Sequence, residues 1–330
     1  HHASRITHHA SPQLLSSSGR IQEIDALRGF AIFLVTLHHA IIRFPIDLFD
    51  NAYCYAFMRW CTSVHMPLFF VIAGLCYSCR DYKQYIRKKF YHLAVPYIVF
   101  SLINMSIRYI LPSLVNHQVT DITERIIKIM FYGEGLWFLY TLFIIFMIYP
   151  LLCRLISASK ITMLLLLVVL FVLSVRGVSI SLFSIGSVIH YLFFFHLGVT
   201  AKNLTGGTWP KLRVPAYALP IALCAWLIML YGVQGFGVIT ALTGIIACFL
   251  MAYYKIFNEM FSRFGGYSLQ LYLLNGIALG TSRAIICNIL NIYNPVAIIV
   301  FNTFIDFLVL YLLIKYVLMK SKVLRFLMGA

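Results

Sequence analysis

From residue 26 onward the chain alternates between long apolar runs and short polar breaks. A helix needs about 20 mostly apolar residues to cross a bilayer. Runs near that length occur at 26–44, 62–79, 92–111, 136–153, 161–176, 183–200, 214–231, 236–254, 267–286 and 295–318. They predict an all-α protein, a polytopic transmembrane bundle of about ten helices. No heptad array, internal repeat or soluble domain interrupts them, so residues 21–330 read as one membrane domain. Residues 1–20, HHASRITHHASPQLLSSSGR, hold four His, many Ser and no acidic residue, and read as a tag or a disordered tail. The first apolar segment carries charges and has no small-residue cleavage site behind it, which does not fit a cleavable signal peptide.

Composition agrees with the pattern. The chain is 62% hydrophobic and 11% charged, with a mean hydropathy of +0.89, whereas a soluble domain carries about 25% charged residues. The formal charge of +16 is spread between apolar runs rather than over one folded face, which argues against nucleic acid as a partner. Its distribution sets the orientation. With the N-terminus taken as cytoplasmic, 19 of the 26 Lys and Arg fall on that side and seven on the other. By the positive-inside rule both termini are cytoplasmic. The longest outer segment, 112–135, carries Asp121, Glu124 and Glu134, three of the ten acidic residues.

The strongest candidate for chemistry is the first span. Arg28 and His39 are eleven residues apart in LRGFAIFLVTLHHA, so on a helix they return to within about 20° of one face, about 16 Å apart along the axis. Ionisable groups inside the hydrocarbon cost at least a few kcal/mol each and face a cavity or a partner. Both groups are therefore expected to look into a common hollow. Arg28, near the inner boundary, suits bidentate capture of a phosphate or carboxylate. Asp25, one turn earlier, would orient that guanidinium or cap the helix. His39 suits a general base, since an imidazole titrates near neutrality. The bland alternative is an Arg that snorkels to headgroups and a His that bridges helices. His38 projects about 100° from His39 and is read as a packing residue.

Further candidates lie elsewhere. His65 opens the second span in SVHMPLFFVIAG, with Pro67 expected in its first turn and Gly74 permitting close helix contact. Lys88 and Lys89, with Arg87, form a basic cluster on the inner side, either meeting anionic lipid or docking a phosphorylated donor. Glu134 and Trp137, in YGEGLWFL, stand where the chain re-enters from outside; an aromatic at that depth is normally part of the interfacial belt, while Glu134 beside two Gly suggests a mobile polar mouth suited to a sugar. Asn275, in FGGYSLQLYLLNG, is a candidate to face an acyl oxygen or to link helices. Asp306, mid-span in the tenth helix, is expected to be paired with a cation or protonated. Cys54 and Cys61 fall in the first outer loop as a possible pair. Cys76 and Cys79 make a single CxxC without a second pair, so no metal site is expected.

These stretches, taken in order, resemble the acyltransferase family three of bacterial membrane enzymes, more narrowly its fucose 4-O-acetylase-like members. RIQEIDALRGFAIFLVTLHH is similar to the first-helix signature with its Arg and His, here Arg28 and His39. VHMPLFFVIAGL, FYHLAVPYIVFSL, GLWFLYTLFIIF, YLFFFHLG and GGYSLQLYLLNG follow in the family's order. The resemblance covers most of residues 20–320. It implies transfer of an acyl group, usually acetyl from acetyl-CoA, to a hydroxyl of an envelope glycan or lipid-linked sugar. It also implies a catalytic His39, and an Arg28 essential for handling the donor. Two positions depart from the family pattern: Asn275 stands where a His is usual, and His92 where an Arg is common.

The sequence thus reads as an integral-membrane O-acyltransferase of the bacterial inner membrane. Acyl-CoA, held by Arg28, Lys88 and Lys89, is a donor substrate rather than a bound cofactor. The acceptor hydroxyl belongs to a glycan or lipid-linked sugar near Glu134 and Trp137, with His65 and Asn275 in support. The competing reading is a transporter or flippase for a glycolipid or small anion. Matching Gly/Pro-broken segments in two halves would favour it, and none stands out. Oligomeric state stays open.

Overall fold

Short polar residues at the breaks start the helices. Asn51 Oδ1 accepts from the backbone N–H of Tyr53 and Cys54, both at 3.1 Å, Asp121 caps a helix in the same way, and Asn294 caps another that has Pro295 at its first position. The computed structural model describes residues 21–41, 50–110, 121–155, 159–206, 209, 214–232 and 237–330. The tail 1–20, the cations Arg43, Lys211 and Arg213, and the first part of the outer segment at 112–120 lie outside the described residues.

The described elements are all helical. They begin with α1 (Gln22–Ile41), α2 (Ala52–Leu75) and α3 (Tyr82–Lys89), and a π turn at Phe90–Ala94 leads into α4 (Val95–Ile110). Then come α5 (Ile122–Tyr132), α6 (Trp137–Leu155), α7 (Lys160–Arg176) and α8 (Ile185–Leu204). α9 (Ala218–Leu227), α10 (Gly237–Met251), α11 (Lys255–Gly265) and α12 (Ser268–Ala284) follow. The chain ends with α13 (Pro295–Phe304), a π turn at Ile305–Val309, α14 (Leu310–Tyr316) and α15 (Lys322–Leu327).

All ten apolar segments are helical over most of their length. Six helical stretches are long and apolar enough to cross a membrane, seven if α10 and α11, bent by 106°, count as one broken span. The predicted ten crossings are not reached among the described residues. Hydropathy cannot see where backbone turns: α9 has 10 residues before a π turn, α10 has 15 before its bend, and α7 and α12 have 17 each. The second helix differs in the other direction. It starts at Ala52, ten residues earlier than expected, so Pro67 sits inside it rather than in its first turn. There it cannot donate to the Ser63 carbonyl. Cys54 and Cys61 are consequently on α2, buried and free, not paired in a loop.

α1 and α2 run antiparallel, since Arg28 meets Cys76 near the two ends of one pairing and His38 meets His65 near the other. The side on which α1 begins is called inner below. Two crossings lock the core through glycines. A Cβ on Gly29 would lie 2.0 Å from the Phe261 carbonyl oxygen, and one on Gly265 would lie 1.9 Å from that of Asp25, so α11 is seated directly on α1. Gly74 and Gly198 do the same for α2 and α8, with a Gly74 Cβ 2.0 Å from the Phe195 oxygen. Gly74 was expected to have this role. The face of α7 formed by Leu164, Leu165, Val168, Val169 and Val172 is exposed, as suits a surface facing lipid.

Candidate active site

The inner end of the bundle holds a cavity of about 370 Å³ into which Arg28, Lys88 and Lys89 converge. α1 supplies the guanidinium, while the last turn of α3 and the π turn after it supply the two ammonium groups and His92. Asp25 lies one turn before Arg28 and meets its Nη1 at 3.4 Å, so it orients the guanidinium, and Arg28 Nη2 lies 3.1 Å from Cys76 Sγ. Lys89 sits 3.9 Å from the centre of the Phe146 ring, a cation–π contact that fixes the ammonium at the wall. His92 Nδ1 donates to the Gly329 carbonyl at 2.7 Å, so the segment after α15 forms part of the rim. The other end of the cavity is aromatic, closed by Phe69, Phe138 and Tyr272.

His39 is not among the residues lining this cavity. The common hollow expected for Arg28 and His39 is therefore not continuous in this structure. Phe69, one turn inward of His65 on α2, belongs to the wall of the cavity. The imidazoles gather above it, in the outer half of α1 and at the middle of α2. His39 Nδ1 donates to the Val35 carbonyl at 2.9 Å and His65 Nδ1 donates to that of Cys61 at 2.6 Å. A carbonyl only accepts, so in the neutral ring of each residue the basic lone pair is on Nε2. That is the tautomer a general base needs.

His38 belongs to this cluster. Its ring stacks on His65 at 5.6 Å and meets His39 edge-on at 5.0 Å. Helical offset on α1 alone separated His38 from His39, but α2 brings His65 to the His38 face. No spacing within one helix could have revealed that. Asn275 approaches from α12, donating to Thr36 Oγ1 at 2.9 Å, and Thr36 donates on to the Ile32 carbonyl at 3.1 Å. Asn275 is 3% exposed, and its amide oxygen has no hydrogen-bond partner among the described residues.

Glu134 and Trp137 come together at the outer end, 50 or more residues of sequence from either neighbour helix of the imidazoles. They line a wider cavity of about 1100 Å³ between α5, α6, α8 and the segment that follows α7, with Lys128, His190 and Tyr191. Glu134 pairs with Arg125, and Glu124 meets Lys128 at 2.8 Å. The two cavities stand almost back to back. Trp137 and Phe138 are consecutive, one lining the outer hollow and one the inner. Between the hollows runs a continuous chain of rings: Trp137 on Tyr191 at 5.3 Å, Tyr191 stacked on Phe70 at 4.4 Å, Phe70 edge-on to Phe138 at 5.2 Å, and Phe138 on Tyr272 at 5.4 Å. Sequence reasoning missed this layer, because single aromatics in apolar helices are indistinguishable from ordinary core.

Arg283 differs from its expected place. The charge tally put it among the outer loop cations, yet it is fully buried against α1 and α13. It is also the cation that accompanies Asp306.

No curated protein and no solved structure matches this chain. Residues 21–316 match the family model described as an acyltransferase domain. That match spans α1 through α14, and so the outer cavity, the imidazoles of α1 and α2, and all of the inner cavity's lining but Gly329. The chain is a member of acyltransferase family three, and with its many apolar helices it is a multi-pass membrane acyltransferase.

Proposed function

We propose that this protein transfers an acyl group, acetyl in the simplest case, from acyl-CoA at the inner cavity to a sugar hydroxyl entering from the outer one. The observation that carries this reading is the pair of hollows at opposite ends of the bundle, one basic and one aromatic and polar. The three cations Arg28, Lys88 and Lys89 suit the phosphates of a nucleotide thioester donor. Trp137, Tyr132 and Tyr191, interleaved with Glu124, Glu134 and Lys128, suit the alternating apolar faces and hydroxyl edges of a sugar. The positive-charge bias supports a cytoplasmic inner side and hence a donor drawn from the cytoplasm, as in a bacterial inner membrane.

The chemistry falls to His39. Its Nε2 accepts the proton of the acceptor hydroxyl as the oxygen attacks the thioester carbonyl carbon. A tetrahedral centre forms and collapses, the C–S bond breaks, a C–O ester bond remains, and the proton passes to the departing thiolate. His38 meets the imidazole edge-on with His65 stacked behind it, Asn275 braces α1 at Thr36, and the thioester arm must displace Phe69 or Phe138 to arrive. The decisive experiment uses the purified protein in lipid nanodiscs, given radiolabelled acetyl-CoA and a mixture of envelope glycans. Label in an ester on the glycan supports the reading, and its loss on His39→Ala supports the base role. Movement of glycan across a vesicle without label would point to transport instead and overturn it.

A further inference from the structure

Arg283 has no part in the scheme above, yet it is the most deeply buried cation among the described residues at 0% exposure. Its Nη2 donates to the carbonyl of Ala40, the residue after His39. Its Nε and Nη2 donate to Asn302 Oδ1 at 2.7 Å and 3.3 Å. Asp306, 1% exposed and four residues further on, attracts the guanidinium and accepts from Ser282 Oγ at 3.2 Å and 3.3 Å. One guanidinium therefore ties three helices together at the outer end of α1.

Stability alone is a poor reason for such a group. A charge inside the hydrocarbon is expensive, and well-packed apolar residues of similar volume often replace a buried ion pair without loss. What the guanidinium uniquely does is hold a backbone atom beside an imidazole. α12 grips α1 twice, at Thr36 through Asn275 and at Ala40 through Arg283. The two grips bracket His39, whose ring is in turn fastened to the Val35 carbonyl. Asn302 and Asp306 fix the guanidinium from behind, so the turn carrying His39 cannot slide or rotate against α12.

We propose that Arg283, anchored by Asn302 and Asp306, is a positioning residue that holds the His39 imidazole in register with both substrates. This rests on the reading of His39 as the base. The test compares Arg283→Gln, Arg283→Lys and the apolar double variant R283M/D306L with the wild-type protein in nanodiscs, measuring folding by thermal unfolding and transfer by steady-state kinetics. The double variant, free of any unpaired charge, is expected to fold and to lose about tenfold or more in kcat, the scale of a small misplacement of a reacting group. KM for acyl-CoA should stay within about twofold, since the donor cavity is untouched. Arg283→Lys should recover part of kcat, because an ammonium reaches one of the two acceptors. A folded double variant with wild-type kcat, a loss confined to KM, or failure of every variant to fold would each overturn the proposal. His39→Ala separates the two ideas: if it is inactive while the double variant is normal, only the positioning role falls. Activity retained by His39→Ala removes the base and the positioning role with it.

Discussion

On the proposed reading, two side chains eleven residues apart divide the work of α1, and each has its own measurable signature. General-base catalysis contributes about 10²- to 10⁴-fold, so His39→Ala should lower kcat by at least about 10²-fold with KM for acyl-CoA little changed. On the same reading Arg28 acts on binding. Charged hydrogen bonds are worth about 1.5–3 kcal/mol, so Arg28→Ala should raise KM for acyl-CoA about 10- to 100-fold, with kcat at saturation altered less. Arg28→Lys should fall between, since an ammonium keeps the charge and loses the fork. The roles of these two were suggested by spacing and residue type alone, because an Arg and a His inside an apolar run are conspicuous. His38 and Arg283 were not legible in the same way. His38 acquires its importance from a ring on another helix, and Arg283 looked like one more loop cation because hydropathy is blind to what a side chain folds back upon.

At the scale of elements, the sites are held where they are by glycine crossings and by breaks in helical pattern. α11 meets α1 backbone to backbone next to Arg28, so any side chain at Gly265 must push the two apart. Gly265→Val should destabilise the protein by about 1–3 kcal/mol, the usual cost of overpacking, seen as a lower midpoint in thermal unfolding. It should also weaken acyl-CoA binding, because its Cβ strikes the Asp25 backbone and Asp25 orients Arg28. π turns mark the same theme: His92 and Asp306, two of the polar groups that reach inward, both lie on one. The apolar runs of the sequence located ten helical segments but neither the more polar helices α3, α5 and α11 nor these interruptions. A π turn adds one residue without changing composition, and the bend between α10 and α11 follows a short MAYY stretch that reads as apolar continuation.

For the molecule as a whole, the sequence yielded a sided membrane bundle, and the structure adds that its two ends differ in chemistry. The inner hollow is cationic and the outer one mixed in charge, with Glu124 and Glu134 beside Lys128. Sidedness is directly testable. With the native cysteines replaced, a cysteine at Ser179 should react with a membrane-impermeant thiol reagent from one face of oriented vesicles only. A cysteine at Lys83 should react only from the other. Labelling of both from the same face would refute the opposed arrangement of the cavities.

The stacked rings from Trp137 to Tyr272 carry one more implication, which concerns everything the protein must refuse to pass. A bundle hollowed from both faces risks becoming a pore, and an energised membrane tolerates no short circuit. Five aromatic side chains in contact run from the lining of one hollow to the lining of the other. If those rings serve as a plug, trimming Phe70 to Ala should make proteoliposomes lose an imposed proton gradient faster than those holding the intact protein.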